Sequence, residues 1–304
     1  MQNRKKYGGV VVPMITPFNK DLDIDFDALA KLLDYFVAAK TMPFILGTTG
    51  ESASIPFSMR KEYVKKSVEF VNKRSMIYAG ISDTCVVNSI DQARNFADLG
   101  IDVFVVHPPA YYPLTPDQVK SYFLHIAERL PAPMMIYNIP ATTKISIPLD
   151  IIEELSNHPN IVGLKDSERS LERMRLLVDR FDQRSDFALL SGWTVRSAYA
   201  LSIGFDGIVP STANLIPRIF TKLYRAAMEK NITEAEKIQK RINPVADFHQ
   251  KDRVLSEVMA LLKLMMNELG LCGPFVLPPL TRFDLSEEKR LITEMKKLDL
   301  QKLM

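Results

Sequence analysis

The sequence predicts a (β/α)8 TIM barrel with a small all-helical region at its C-terminal end. Three observations lead there. Short apolar runs alternate eight times with segments of helical periodicity between residues 8 and 230. The runs are apolar at nearly every position, as in parallel strands buried on both faces. From Asn231 onward the strand signal stops and helical periodicity alone remains. Parallel strands joined by single right-handed crossovers close in sequence order into a barrel. A doubly wound open sheet is the competing topology, but no Gly-x-Gly-x-x-Gly turn follows the first strand.

Each element has its own signal. Gly8 to Ile15 reads as a strand closed by Thr16-Pro17. Over residues 25–40, Phe26, Leu29, Leu32, Leu33 and Phe36 share a helical face. Pro43 to Leu46 is the second strand and runs into Gly47-Thr48-Thr49-Gly50-Glu51-Ser52. A helix over 58–72 follows, capped by Ser58. Residues 76–81 form the third strand, and the helix over 88–99 stops at Gly100, a residue suited to a helix C-terminus. Val103 to Val106 is the fourth strand, ending at His107-Pro108-Pro109-Ala110-Tyr111-Tyr112, with a helix over 117–130 behind it. Met134 to Tyr137 is the fifth strand, followed by a helix over 149–156. The sixth strand, Ile161 to Asp166, carries Lys165, and a helix over 171–181 follows. Phe187 to Leu190 ends at Ser191-Gly192-Trp193 before a helix over 195–203. Gly207 to Val209 is the eighth strand, and Pro217 opens the eighth helix, where a proline is well placed. Helices over 233–241, 253–269 and 286–298 complete the chain. The expected division is a barrel with the active site over residues 1–230 and a helical region over 231–304 that packs on it.

Composition bounds the function. In 304 residues, 47% are hydrophobic, 25% are charged and the net charge is only +3. Arg4-Lys5-Lys6 is too short for a nucleic-acid arm and reads as a solvated N-terminus. There is no apolar run of membrane-spanning length, and Met1 to Lys6 lacks a signal-peptide hydrophobic region. Cys85 and Cys272 match no metal or redox spacing and read as free, buried thiols of a cytoplasmic protein. The expected partner is a small molecule, with neither nucleic acid nor membrane involved.

In such a barrel the reacting groups sit on the loops at the C-terminal strand ends. Those ends carry Thr48, Thr49, Tyr111, Tyr112, Tyr137, Lys165, Trp193 and Ser211, and no His/Cys/carboxylate cluster of metal-binding type. A lysine ending a buried strand either snorkels outward or has a chemical role, because its charge is costly in an apolar setting. Desolvation favours the neutral amine, the form that attacks a ketone. Tyr137 ends the neighbouring strand, about 4.8 Å away. Its phenol could pass protons at a carbinolamine and at the carbon beside an imine, or simply fill the barrel. Thr48 and Thr49 offer hydroxyls and amides to a carboxylate, or form an ordinary loop. His107 reads as a packed residue, Trp193 as pocket wall or core, and Asp166 as pointing away from Lys165.

Gly47-Thr48-Thr49-Gly50-Glu51-Ser52, Tyr137-Asn138-Ile139-Pro140 and Gly163-Leu164-Lys165-Asp166 together resemble the motif series of the dihydrodipicolinate synthase/N-acetylneuraminate lyase family. The likeness runs from about Gly9 to Asn214, in order and at matching spacing. It implies a class I aldolase, lyase or dehydratase that forms a Schiff base with pyruvate or another 2-oxo acid and uses no cofactor or metal. Lys165 would be the imine-forming lysine and Tyr137 the proton-shuttling phenol. Thr48 and Thr49 would hold the 2-oxo acid's carboxylate. Tyr111 falls at a second relay tyrosine often found at a subunit contact, with Tyr112 as the substitute if the alignment slips by one. Val209 would offer backbone near the oxo acid, and Gly192 and Ser211 would line the site for the rest of the substrate. The resemblance also implies a homo-oligomer, a tetramer built from dimers.

Two positions depart from the family's best-known members. Thr142 stands where lysine-pathway synthases carry a carboxylate-binding arginine, and a hydroxyl cannot supply a bidentate cation. Thr194 and Val195 stand where sialic acid lyases carry an acidic pair. The expected activity is therefore cleavage, aldol addition or dehydration of pyruvate-derived or 2-keto-3-deoxy sugar acids. Dihydrodipicolinate synthase, N-acetylneuraminate lyase and a non-catalytic 2-oxo-acid binder are the alternatives.

Overall fold

The computed structural model describes residues 5–304. Eight parallel strands close in sequence order into a barrel: β1 (Gly9–Pro13), β2 (Met42–Ile45), β3 (Tyr78–Gly80), β4 (Val103–Val106), β5 (Met134–Asn138), β6 (Ile161–Asp166), β7 (Ala188–Ser191) and β8 (Gly207–Ile208). Around them lie α1 (Phe26–Ala38), α2 (Phe57–Val71), α3 (Val86–Leu99), α4 (Pro116–Ala127), a one-turn α5 (Pro140–Thr143), α6 (Leu149–Leu155), α7 (Leu171–Phe181), α8 (Ser197–Ile203) and α9 (Pro217–Met228). The chain ends in α10 (Ile232–Gln250), α11 (Leu255–Glu268) and α12 (Leu285–Met295).

Strand alternation sorts the core into two shells. Val11, Phe44, Tyr78, Val105, Met135 and Leu190 fill the barrel, whereas Val12, Ile45, Phe104, Ile136 and Leu164 face the helices. The barrel closes where β1 meets β8, with Gly9 opposite Gly207. A side chain on Gly207 would put its Cβ 2.5 Å from the Gly9 carbonyl oxygen, so the closure requires glycine.

Local chemistry explains the helix boundaries. Asp25 caps α1 by accepting a hydrogen bond from the Ala28 amide (2.9 Å). Thr115 and Gln118 form a reciprocal capping box at α4. Ser58 does not cap α2, because the helix already starts at Phe57 behind Pro56. α10 reaches far past the expected stop at residue 241 and carries Pro244 inside it. It packs on α8 and α9, so the C-terminal region lies against the barrel.

Two surface expectations change. Lys5 is not freely solvated: its ammonium pairs with Asp206 at 3.0 Å and donates to the Phe187 carbonyl at 2.9 Å. Arg4 of the same run lies outside the described residues. Cys85 is exposed rather than buried, because it precedes the first turn of α3 at the surface. Cys272 is half-buried, and burial pushes its thiol up to about 12. Among the described residues no helix is long and apolar enough to cross a membrane.

Candidate active site

β5 and β6 pair with Tyr137 directly opposite Lys165. Lys165 shares the inward parity of Gly163 and is only 4% exposed. Its Nζ lies 3.6 Å from the ring centroid of Tyr137 and 4.9 Å from that of Phe44. Burial lowers the amine's pKa below lysine's ordinary 10.5, and the Tyr137 hydroxyl only partly opposes this. Asp166 points the other way, into the helix layer. It accepts hydrogen bonds from Arg173 Nε (2.8 Å) and Asn138 Nδ2 (2.9 Å), which fix the end of β6.

The loop after β2 is held in an uncommon shape. Leu46 and Glu51, on either side of it, both adopt left-handed backbone, φ 53° and 57°. The Gly50 amide returns to the Gly47 carbonyl (3.0 Å) and the Glu51 amide to that of Thr48 (3.1 Å). Thr48 and Thr49 are half-buried between them. Their hydroxyls bond to no described residue, so both can serve a ligand.

A cavity of about 440 Å³ opens at this end of the barrel. Lys165, Tyr137, Thr48, Thr49, Gly192, Val209 and Ser211 all line it, which brings together seven of the nine residues chosen from sequence. Two stay outside. Tyr111 is 76% exposed on the loop after β4, edge-on to Tyr112 at 5.0 Å. Thr142 turns back to donate to the Ile139 carbonyl (3.3 Å). His107 is packed beside the site, its Nδ1 2.8 Å from the Pro108 carbonyl, and burial lowers its pKa and keeps the ring neutral. Trp193 packs against the outer core instead of lining the cavity.

Sequence reasoning missed one wall entirely. Ser167, Glu168 and Arg169 enter from the β6–α7 loop, Gln250 from the end of α10 and Arg253 from the α10–α11 connection. Leu255, Val258 and Met259 form an i, i+3, i+4 face of α11 over the opening. That spacing is visible in the sequence, but nothing local says which surface it covers. Gln250 Nε2 donates to Ser211 Oγ (3.0 Å) and so ties this wall to the end of β8. Among the described residues, no group of three or more His, Cys, Asp or Glu side chains is arranged to hold a metal ion.

Under the same wall lies fully buried His249, with Nδ1 3.2 Å from the Val245 carbonyl. Burial pushes its pKa from 6.5 down to about 4. The unfolded chain therefore takes up this proton at higher pH than the folded one. The stability concerned is complete above pH 6.5 and is lost as the pH falls toward 4. At about 1.4 kcal/mol per pKa unit, the loss is about 3 kcal/mol. Denaturant unfolding across this window is expected to show that slope, and His249→Gln is expected to flatten it. An unchanged slope in the variant would show that the acid lability arises elsewhere.

Comparison with known proteins gives the same picture. The model of the Dihydrodipicolinate synthetase family matches residues 6–298. A 4-hydroxy-tetrahydrodipicolinate synthase of Stutzerimonas stutzeri is 30% identical over 289 residues, 95% of this chain and 97% of the relative. An uncharacterized DapA-like lyase of Thermofilum pendens is 33% identical, covering 91% of this chain and 92% of its own. The crystal structure of dihydrodipicolinate synthase from Aquifex aeolicus superposes with a TM-score of 0.89 at 26% identity, covering 97% of this chain and 99% of the other. With its motifs, its closed barrel and a family match over nearly its whole length, this chain belongs to the dihydrodipicolinate synthetase family.

Proposed function

We propose that the chain condenses or cleaves 2-oxo acids through a Schiff base on Lys165, as an aldolase or dehydratase acting on pyruvate or a 2-keto-3-deoxy sugar acid. It is a lyase of the class I aldolase type. The observation that carries the reading is a buried amine, with lowered pKa, against the Tyr137 ring at the base of an open cavity.

The chemistry follows from those groups. The neutral amine of Lys165 adds to the C2 carbonyl, and the resulting carbinolamine loses water to give an iminium. The Tyr137 hydroxyl delivers the proton that makes the departing hydroxide a water molecule. The Tyr137 phenolate left behind takes a C3 proton to give an enamine, whose C3 attacks an aldehyde carbon while the phenol returns its proton to the new alkoxide. Water then hydrolyses the iminium to release the product and free Lys165, and cleavage is the reverse. Thr48 and Thr49 hold the oxo acid's carboxylate through hydroxyls and amides. Val209 offers backbone near the oxo acid, and Gly192 and Ser211 border the space beyond C3.

Borohydride reduction in the presence of pyruvate tests the reading. One three-carbon adduct is expected on Lys165, and none in Lys165→Ala. An adduct on another lysine would overturn the assignment.

Condensation with aspartate semialdehyde is the second reading, favoured by the activity named for the Stutzerimonas stutzeri relative. Thr142 lies outside the cavity lining and supplies no cation. A kcat/KM for that aldehyde above every sugar acid would establish the second reading.

Residues 1–230 are proposed as the catalytic barrel and 231–304 as the helical region that walls its mouth. The unpaired cysteines support a cytoplasmic setting. Tyr111 and Tyr112, exposed side by side, support a homo-oligomer, a tetramer, in which a neighbouring subunit covers them. Light scattering is expected to give a mass above that of one chain, and a monomer at micromolar concentration would exclude the assembly.

A further inference from the structure

We infer that the outer part of the cavity is an anion-binding site, in which Arg253 and Arg169 take a carboxylate or phosphate on the second substrate. This rests on the Schiff-base reading and extends it to the substrate's far end.

Space comes first. A volume of about 440 Å³ is in the range of cavities that hold ligands much larger than a three-carbon oxo acid. With C1 to C3 between Lys165 and the two threonines, the remaining volume lies toward the α10–α11 wall.

Charge comes second. Arg253 and Arg169 both line the cavity, from two different elements, and neither forms an ion pair among the described residues. Arg253 makes one long hydrogen bond, from Nε to the Phe248 carbonyl at 3.5 Å, which leaves its terminal nitrogens uncommitted. Arg169 is exposed and bonds to no described residue. Arg173, on the first turn of α7 beside Arg169, is committed to Asp166 at 2.8 Å.

The one carboxylate in the lining does not neutralise them. Glu168 already accepts from Asn138 Nδ2 (3.0 Å) and Ser146 Oγ (2.6 Å), with Arg173 Nε 3.4 Å away. Glu287 feels Arg253 through a longer-range attraction but forms its ion pair with Arg290. The lining thus carries uncompensated positive charge in guanidinium form, the geometry suited to bidentate carboxylate or phosphate. Lys144, two residues past Thr142, does not contribute: it is exposed, donates to the Ala141 carbonyl (3.1 Å) and lies outside the lining.

The test pairs aldehydes of matched length with pyruvate: butanal against succinic semialdehyde, and glyceraldehyde against glyceraldehyde 3-phosphate. The anionic member of at least one pair is expected to have the higher kcat/KM, by about tenfold or more, and the better pair identifies carboxylate or phosphate. Arg253→Gln and Arg169→Gln are expected to abolish that preference, mainly through KM. Arg253→Lys is expected to restore part of it. Lys144→Gln is expected to leave it unchanged. Arg169 is exposed, so its variant reports on binding without disturbing the core. Equal kcat/KM within both pairs, or a preference that survives both arginine variants, would overturn the anion site. Borohydride capture of pyruvate alone, run beside the assay, separates the cases: labelled Lys165 without an anion preference defeats this inference only, and unlabelled Lys165 defeats the reading beneath it.

Discussion

Replacing Lys165 by alanine is expected to lower kcat/KM on the order of 10⁴-fold or more, because the covalent route is lost with its nucleophile. Tyr137→Phe keeps the amine and removes the proton carrier, so a loss of about 10²- to 10⁴-fold is expected while pyruvate is still captured slowly. The two variants thus separate the nucleophile from the acid–base group. Lys165→Met adds a stability test. Burial holds the folded pKa of Lys165 below 10.5. The unfolded chain therefore binds the proton more tightly, and wild-type stability rises as the pH climbs through the window between the folded value and 10.5. Methionine fills similar space without a charge to bury. Lys165→Met is expected to unfold at no lower a temperature than wild type and to lack that pH dependence. A variant that is less stable at neutral pH would show that the amine is well solvated by its site, and the argument from desolvation would fail.

The barrel and the juxtaposition of Tyr137 with Lys165 were legible because both are written in local pattern. A strand buried on both faces leaves an apolar run, and a polar residue at its end stands out, as Tyr137 and Lys165 do in β5 and β6. Parity along a strand also gave the outward turn of Asp166. What could not be read is proximity created by the return of the chain. Gln250 and Arg253 line one cavity with Ser167 and Arg169 because α10 lies across α8 and α9. The sequence placed a helix only over 233–241, whereas α10 runs on through Pro244, a residue that ordinarily disfavours a helix interior. Tyr111 was chosen from a family position, and in the structure it is exposed on the loop after β4, away from the cavity lining. One signal was available and unused: Lys263 is the lone charge in Ala260-Leu261-Leu262-Lys263-Leu264-Met265-Met266, a run too apolar to sit at the surface.

Lys263→Met is expected to destabilise the chain by about 3–5 kcal/mol, the usual effect of leaving half of a buried ion pair. Both Lys263 and Glu51 have 0% side-chain exposure, and they pair directly. Each is also committed to backbone: Lys263 Nζ donates to the Phe275 carbonyl (2.8 Å), and Glu51 Oε2 accepts from the Leu277 amide (2.8 Å). The Phe18 ring lies 4.1 Å from the ammonium and adds a favourable cation–π contact. Without Lys263, the Glu51 carboxylate keeps one amide donor in a region without water-facing surface. It then stays buried without its partner, at a high desolvation cost. Glu51 ends the turn that presents Thr48 and Thr49, while Lys263 lies on the helix whose Leu255, Val258 and Met259 cover the cavity. The pair therefore joins the Thr48–Thr49 loop to the α11 wall, and, on the proposed role of those threonines, its loss is expected to raise KM for pyruvate more than it lowers kcat. Glu51→Gln with Lys263→Met removes both charges together. The double variant is expected to recover part of the stability lost in Lys263→Met, a coupling of about 0.5–3 kcal/mol in a double-mutant cycle. Additive losses, with KM for pyruvate unchanged, would show that the two charges act independently and do not position the threonine loop.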